Sequence, residues 1–419
     1  MSGAGKGAPG PGTGASATGR GTGRRRRRRW VRRAALAVAV AAVGAAGIGW
    51  TVYTKLNGNI TADEAAAAEL ARYERERPTA LVRGAQNILV IGSDSRAGAD
   101  NARYGRDPGT ERSDTAILLH LSAGRHRATA VSLPRDLMVR VPGCRRPDGT
   151  RSEPAFTMFN YAFEVGGSAC SIRTVEKLTG IRIDHHVVVD FHGFKRVVDA
   201  VDGVEVCLRR PVADKAAKLN LPAGRVTLNG EQALGYVRAR KSLGDGSDTE
   251  RMERQQRFLG ALVNKVRGND VLLNPVKLYP VLNAATSSLT TDPGLASLRD
   301  LYALVRGLRD IPTERVQFLT VPREAWAGNP NRDQLKEPDA RELFARLRTD
   351  EPVTVGGSAP RRSDGKSGPE GARGIPPSDY GAYGDGDASS NERRSVEHTN
   401  DVSPEPTFRG NTAAEKSCE

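Results

Sequence analysis

The stretch Asn87-Ile-Leu-Val-Ile-Gly-Ser-Asp-Ser-Arg96 sets four large apolar residues in a row, ends them at a glycine, and follows at once with Asp94 and Arg96. An apolar run of this length, closed by small residues, reads as a strand buried on both faces. Charged residues just beyond the carboxyl end of such a strand stand where open α/β sheets commonly bind ligands. Apolar runs at Ala116–Leu121, Ala128–Leu133, His186–Phe191 and Val316–Val321 read as further strands. Between and after them, helical patterns are predicted over Ser171–Leu178, Gly193–Val201, Glu231–Val237, Thr249–Val266, Pro275–Ala285, Leu295–Leu308 and Pro338–Leu347. Strands alternating with helices over residues 86–350 predict a single α/β domain with a central mixed sheet flanked by helices.

Outward from this domain the chain changes character. The net charge is +14 and the pI near 9.9, values that point to nucleic acid or an anionic surface until the charge is located. Residues 1–33 hold Lys6, Arg20, Arg24 to Arg29, Arg32 and Arg33 and no acid, so ten of the fourteen excess charges lie in a basic tail. The remainder is close to neutral, which argues against a nucleic-acid-binding body. Residues 34–53 carry no charge and are about long enough to cross a hydrocarbon core as a helix. The arginines on the amino-terminal flank predict that this side is cytoplasmic, placing everything after Lys55 outside the cell membrane. Residues 54–85 read as a juxtamembrane stalk, with a short Ala- and Glu-rich helix from Thr61 to Arg77 closed by Pro78. Residues 351–419, rich in Gly, Ser, Pro, Asp and Arg, read as a disordered tail, because they lack apolar surface to repay chain ordering.

Cys144, Cys170, Cys207 and Cys418 show no metal-ligand spacing. In an exported domain Cys144 and Cys170, which flank a loop-rich stretch, are expected to pair. Cys207, in the strand-like Val204–Leu208, reads equally well as a small buried thiol.

Two further segments repeat the placement of charge beside a strand: Arg112-Ser-Asp-Thr115 before Ala116, and Pro134-Arg-Asp136 after Leu133. A third, Tyr236-Val-Arg-Ala-Arg240 followed by Asp248-Thr-Glu-Arg-Met-Glu-Arg-Gln-Gln256, gathers arginines around a helix start. Singly, such residues are more often turn formers or solvated ion pairs. Together with Phe191-His-Gly-Phe194, Gly203-Val-Glu-Val206 and Leu228-Asn-Gly-Glu-Gln-Ala-Leu234, and in this order over residues 87–267, they resemble the LytR-CpsA-Psr family.

The resemblance implies a phosphotransferase that moves a glycopolymer from a polyprenyl diphosphate carrier to peptidoglycan at the cell membrane, with Mg2+ as cofactor. By motif position Asp94 and Asp114 would hold the metal. Arg112, Arg135, Arg238 and Arg240 would act on the diphosphate as catalytic cations, while Arg251, Arg254 and Gln255 would bind it. The chemistry asks for such a set independently. Phosphoryl transfer is catalysed mainly by positioning and by cationic stabilisation of oxygens, and the guanidinium fork matches phosphate bidentately. Mg2+ takes one or two carboxylates together with substrate phosphate oxygens. Arg251 and Gln255, four apart on a helix, share a face, and Ser247 with Glu250 fits a capping box at its start. The loop Ala97–Glu111 reads as a lid or as a surface insertion. Phe159, Phe163, Phe191 and Phe194 could line a lipid groove, although aromatic residues at such spacing are more often core. A diphosphatase acting on the same lipid, or a non-enzymatic regulator that binds lipid-linked glycans, are the alternative functions.

Overall fold

The computed structural model describes residues 22–93, 113–215, 217–239, 248–268, 275–356 and 406–415. Two units are distinguished, residues 1–59 and 60–419. In the first, helix α1 runs from Thr22 to Gly58. It therefore takes in the arginine run as well as residues 34–53, for Arg and Ala are both good helix formers and no proline or cap intervenes. From Arg27 to Gly58 it is long and apolar enough to cross a membrane. Many of its apolar side chains, Leu36 and Val43 among them, are exposed rather than packed.

The second unit is built on a nine-stranded sheet of β1 (Thr61–Ala62), β2 (Gln86–Ser93), β3 (Ser113–Leu121), β4 (Ala128–Leu133), β7 (His185–Asp190), β12 (Leu289–Thr291), β13 (Val316–Thr320), β16 (Thr354–Gly356) and β17 (Thr407–Thr412). Its order is β1-β12-β7-β2-β3-β4-β13-β17-β16. Four hairpins surround it: β5 (Met138–Val141) with β6 (Ala155–Met158), β8 (Val204–Leu208) with β11 (Gly224–Leu228), β9 (Val212–Asp214) with β10 (Leu219–Leu221), and β14 (Arg323–Trp326) with β15 (Asn329–Leu335). The helices are α2 (Glu64–Arg72), α3 (Asn160–Thr179), α4 (Phe191–Ala200), α5 (Gly230–Arg238), α6 (Asp248–Arg267), α7 (Pro275–Thr286), α8 (Leu298–Arg309) and α9 (Asp339–Arg348).

The alternation of side chains along each strand splits the apolar residues between two faces. Leu89, Ile91, Leu118 and Val131 pack on one side with Ala162 and Val175 of α3 and Leu343 and Leu347 of α9. Ile88, Ile117, Ala130 and Phe318 pack on the other with Leu259 and Val263 of α6 and Leu304 of α8. A third cluster joins α4 and α5 to the β8–β11 and β9–β10 hairpins around Phe258. Full burial of one such Leu or Ile contributes about 1.5–3 kcal/mol, so covering both faces requires the helices that the sequence pattern predicts.

Strand direction places the site. β2 is parallel to β7 and β4 is parallel to β13, while β3 is antiparallel to both β2 and β4. Hence Ser93, Asp190, Leu133 and Thr320, the last residues of β2, β7, β4 and β13, lie along one edge with Ser113, the first of β3. Asp114, Arg135 and Arg238, from three of the charged sequence segments, adjoin that edge.

Three expectations are corrected. The stalk is part of the domain: β1 pairs with β12, Ala66 and Leu70 of α2 enter the main core, and Arg77 makes a bidentate ion pair with buried Glu176 of α3, Nη2 to Oε1 2.8 Å. Residues 406–415 are not tail. β17 inserts between β13 and β16 and buries Phe408, the one large apolar side chain in an otherwise polar stretch. Finally, Cys207 is not a free thiol but is disulfide-bonded, while Cys418 lies outside the described residues. The Cys144–Cys170 pairing is as expected, with a sequence separation of 26. Closing a loop of that length stabilises by about 3 kcal/mol through loss of chain entropy in the unfolded state. Helix α3 starts earlier than predicted, at Asn160, continuing across a kink at Gly166-Gly167 that the helical period does not announce.

Strand β12, one in from the sheet edge, is fastened by charge. His185 Nδ1 lies 3.1 Å from Asp292 Oδ1, and this hydrogen bond raises the imidazole pKa above its ordinary value against the opposing pull of burial. Burial pushes the Asp292 carboxyl up, but the bonds from His185 and the His186 backbone amide bring it net below the usual range. The pair therefore contributes fully between the ordinary Asp value, about 4, and the ordinary His value, about 6.5. The histidine part is lost as pH rises through its elevated folded value, the aspartate part as pH falls through its depressed one. Melting temperature followed from pH 5 to pH 9 should decline over the histidine range in the wild type. The decline should flatten in His185→Gln; an unchanged slope in that variant would exclude the pair as its source.

Candidate active site

Helix α5 is set by its own sequence. Asn229 caps it through a reciprocal box, its side chain accepting from Gln232 N at 2.9 Å while Gln232 Oε1 accepts from Asn229 N at 3.1 Å. Gly230 follows because a Cβ there would come within 2.4 Å of the Lys195 carbonyl oxygen in α4. The family-like segment Leu228–Leu234 thus serves a cap and a close helix approach. Its product is the placement of the last turn of α5, where Arg238 is exposed with its guanidinium 4.4 Å from the centre of the Phe191 ring. Phe191 directly follows β7, so this cation stands over the common strand edge.

Asp114 and Arg135 meet on that edge. Arg135 Nη1 donates to Asp114 Oδ1 at 2.8 Å, with both side chains about 30 % exposed. Asp114 is on β3 and Arg135 follows β4. The contact leaves the carboxylate and the guanidinium accessible to a ligand. Ser93, which precedes Asp94, pairs with Ser113, which precedes Asp114. Asp94, Arg112 and Arg240 themselves lie outside the described residues, as do Ser247 and the loop Ala97–Glu111. Among the described residues no group of three or more His, Cys, Asp or Glu side chains is arranged to hold a metal.

Arg254 and Gln255, expected to bind the diphosphate, are occupied by the backbone instead. Arg254 is buried; its Nε donates to the Tyr236 carbonyl at 3.0 Å and its Nη2 to the carbonyl of Ala239. Gln255 Nε2 donates to the Val237 carbonyl at 3.1 Å. These are the orphan carbonyls at the carboxyl end of α5, and side-chain donors there replace the missing helix bonds. Burial lowers the Arg254 pKa from its ordinary value. Its part is to fix the turn that carries Arg238. Arg251 is also buried, on the same helix.

Two features escaped sequence reading. Gln256 Nε2 donates to Ser132 Oγ at 3.2 Å and Thr320 Oγ1 at 3.0 Å, tying α6 to the ends of β4 and β13. Arg323 contacts both Asp333 and Thr249, tying the first turn of α6 to the β14–β15 hairpin. A glutamine beside another glutamine carries no positional signal, and Arg323 lies outside every charged segment. Of the four aromatic candidates for a lipid groove, Phe159 and Phe163 belong to the core, Phe194 packs against the α4–α5 cluster, and Phe191 supports Arg238.

Arg254→Ala should destabilise by about 3 kcal/mol, since it removes charged hydrogen bonds and leaves buried carbonyls unsatisfied. Arg135→Lys, on the accessible edge, should change stability by less than about 0.5 kcal/mol. Denaturant titration of both variants checks the division; equal stabilities would overturn it.

Comparison with known proteins shows the family and the fold. Residues 52–349 match the model of the LytR_cpsA_psr family. The probable cell wall biosynthesis protein LcpB of Corynebacterium glutamicum is 37% identical over 214 residues, 50% of this chain and 48% of that protein. The polyisoprenyl-teichoic acid–peptidoglycan teichoic acid transferase TagT of Bacillus subtilis is 27% identical over 293 residues, 67% of this chain and 83% of that protein. The chain thus spans about half the length of LcpB. Among solved structures, a LytR-Csp2A-Psr enzyme from Actinomyces oris superposes with a TM-score of 0.51 at 24% identity, covering 65% of this chain and 93% of that one, which supports the fold. With a family match spanning α2 to α9 and the sheet edge that they surround, the chain belongs to the LytR-CpsA-Psr family.

Proposed function

We propose that the protein is a membrane-anchored phosphotransferase that moves a glycopolymer from a polyprenyl diphosphate carrier to a hydroxyl of peptidoglycan. The observation that carries the reading is the convergence of Asp114, Arg135 and Arg238 on one sheet edge, in a family that includes a transferase of this substrate class. The acceptor hydroxyl oxygen bonds to the phosphorus next to the glycan. The bond from that phosphorus to the bridging oxygen breaks, polyprenyl phosphate leaves, and the hydroxyl proton passes to solvent.

The side chains have distinct parts in that exchange. Arg135 and Arg238 present forks to the diphosphate oxygens, with Arg240 and Arg112 joining them by motif position, and stabilise the charge that shifts to the bridging oxygen. Arg254 and Gln255 act one step removed, by holding the turn below Arg238. Arg251, buried on α6, is assigned to the diphosphate by motif position alone. Asp114 supplies a hard, partly exposed carboxylate, and it would hold Mg2+ together with Asp94, assigned by motif position, as the one or two carboxylates that this ion takes. Mg2+, when bound, would supply charge neutralisation of the diphosphate. The orientation that suits these substrates sets the basic residues 1–33 in the cytoplasm and residues 60–419 outside.

The test is transfer of a short lipid-diphosphate glycan to a peptidoglycan oligomer. Asp114→Asn and Arg238→Ala should each lower turnover by about 10²–10³, and chelation should abolish the wild-type rate until Mg2+ is restored. Wild-type rates in the variants would refute the site, and release of glycan without attachment would favour the diphosphatase. Separately, protease added to wall-stripped intact cells should remove the domain; its protection would overturn the orientation.

A further inference from the structure

Beyond the edge that carries Asp114 and Arg135, one aromatic pair is out of place for a core. Phe156, in β6, is 53% exposed, yet it makes an edge-to-face contact with Trp326 of β14, ring centroids 6.0 Å apart. Three separate features hold the indole there. A β-bulge between Ala325 and Trp326 shifts the β14–β15 register, and such bulges re-aim a side chain. Gly328 lies against the ring so closely that a Cβ would come within 2.5 Å of it, so only glycine lets the indole rest on the turn. Phe156 then braces its flank. An exposed Phe156 against a half-buried Trp326, fixed in this way, forms a rigid amphipathic platform rather than an accidental surface residue.

The platform is fastened to the site. Leu137 bridges to Asp333 of β15, and Asp333 N donates to the Asp136 carbonyl, one residue from Arg135. Arg323, at the start of the same strand as Trp326, binds Asp333 and Thr249. It also lines a cavity of about 1070 Å³ that reaches from α6 to Ala325, the neighbour of Trp326. Among the described residues the lining holds seven basic and six acidic side chains, Arg209, Arg210 and Arg323 with Glu250, Glu324 and Asp339 among them. So balanced a lining does not select a polyanion. It suits a chain of neutral sugars whose substituents carry both carboxylates and amines.

We propose that the Phe156–Trp326 platform and the adjoining cavity form the subsite for the peptidoglycan acceptor, with a pyranose ring laying its apolar C–H face on the indole. This rests on the transferase reading and adds to it the side from which the acceptor enters. The sheet order supports that side: the platform stands beyond β4 and β13, whereas Arg238 stands over Phe191 beyond β7, with β2 and β3 between them. The indole and Arg238 would thus hold acceptor and donor at separate places along the edge, with the cavity between the platform and the end of α5 joining them.

The sequence contains three tryptophans, and Trp30→Phe with Trp50→Phe leaves Trp326 as the sole tryptophan of the full-length protein, excited selectively at the red edge of its absorption. Titration with a soluble peptidoglycan tetrasaccharide bearing its stem peptides should shift the Trp326 emission. Phe156→Ala should weaken the binding about tenfold, and so should Trp326→Ala, read by calorimetry. Binding of the lipid-diphosphate glycan should stay unchanged in both variants. Unchanged emission with unchanged affinity in Trp326→Ala would overturn the subsite, and so would loss of donor binding in its place. Glycan binding at Trp326 in a protein that transfers nothing would uphold the subsite while removing the transferase reading.

Discussion

Parallel pairing of β2 with β7 and of β4 with β13 is the constraint on which the rest of the structure depends. Because backbone hydrogen bonds fix direction as well as register, four strands deliver their carboxyl ends to one edge, and antiparallel β3 brings its first residues there too. Asp114 and Arg135, 21 positions apart in sequence, can then share a 2.8 Å contact. The helices that cover both sheet faces leave this edge open, so the charged side chains on it remain accessible.

Helix α6 shows how polar satisfaction positions such a site. Three successive side chains of α6 do adjacent jobs: Arg254 and Gln255 hold the carbonyls at the end of α5, and Gln256 holds the hydroxyls that end β4 and β13. Buried donors and acceptors left unmet are costly, so the three contacts fix α5, α6 and the sheet as one rigid frame. The exposed guanidinium of Arg238 inherits its precision from this frame, supported on the Phe191 ring. Residues of one motif thus divide between those that face a ligand and those that aim them.

The two hairpins beyond β4 and β13 extend the same frame. Backbone contacts at Asp136 and the Arg323 links to Asp333 and Thr249 make β14–β15 continuous with the site. An aromatic pair built on it is held at a set place relative to Asp114 and Arg135, as recognition of an extended substrate requires.

The sequence by itself determined the fold class, the five central strands, most of the helices, the apolar helix near the start and the Cys144–Cys170 bond, because hydrophobic period and loop closure are local properties. The motif order also identified the family. It could not separate Arg238 from Arg254, since both are arginines in one charged segment; what differs is that one meets solvent and the other meets carbonyls 15 and 18 residues away in sequence. Nor could it see that residues 60–77 dock on the domain or that Thr407–Thr412 joins the sheet. Two-residue and six-residue strands in polar surroundings have no periodic signal, and their stability comes from edges that distant strands provide. Tertiary structure alone decided these points, because exposure, carbonyl partners and free sheet edges exist only once remote segments have packed together.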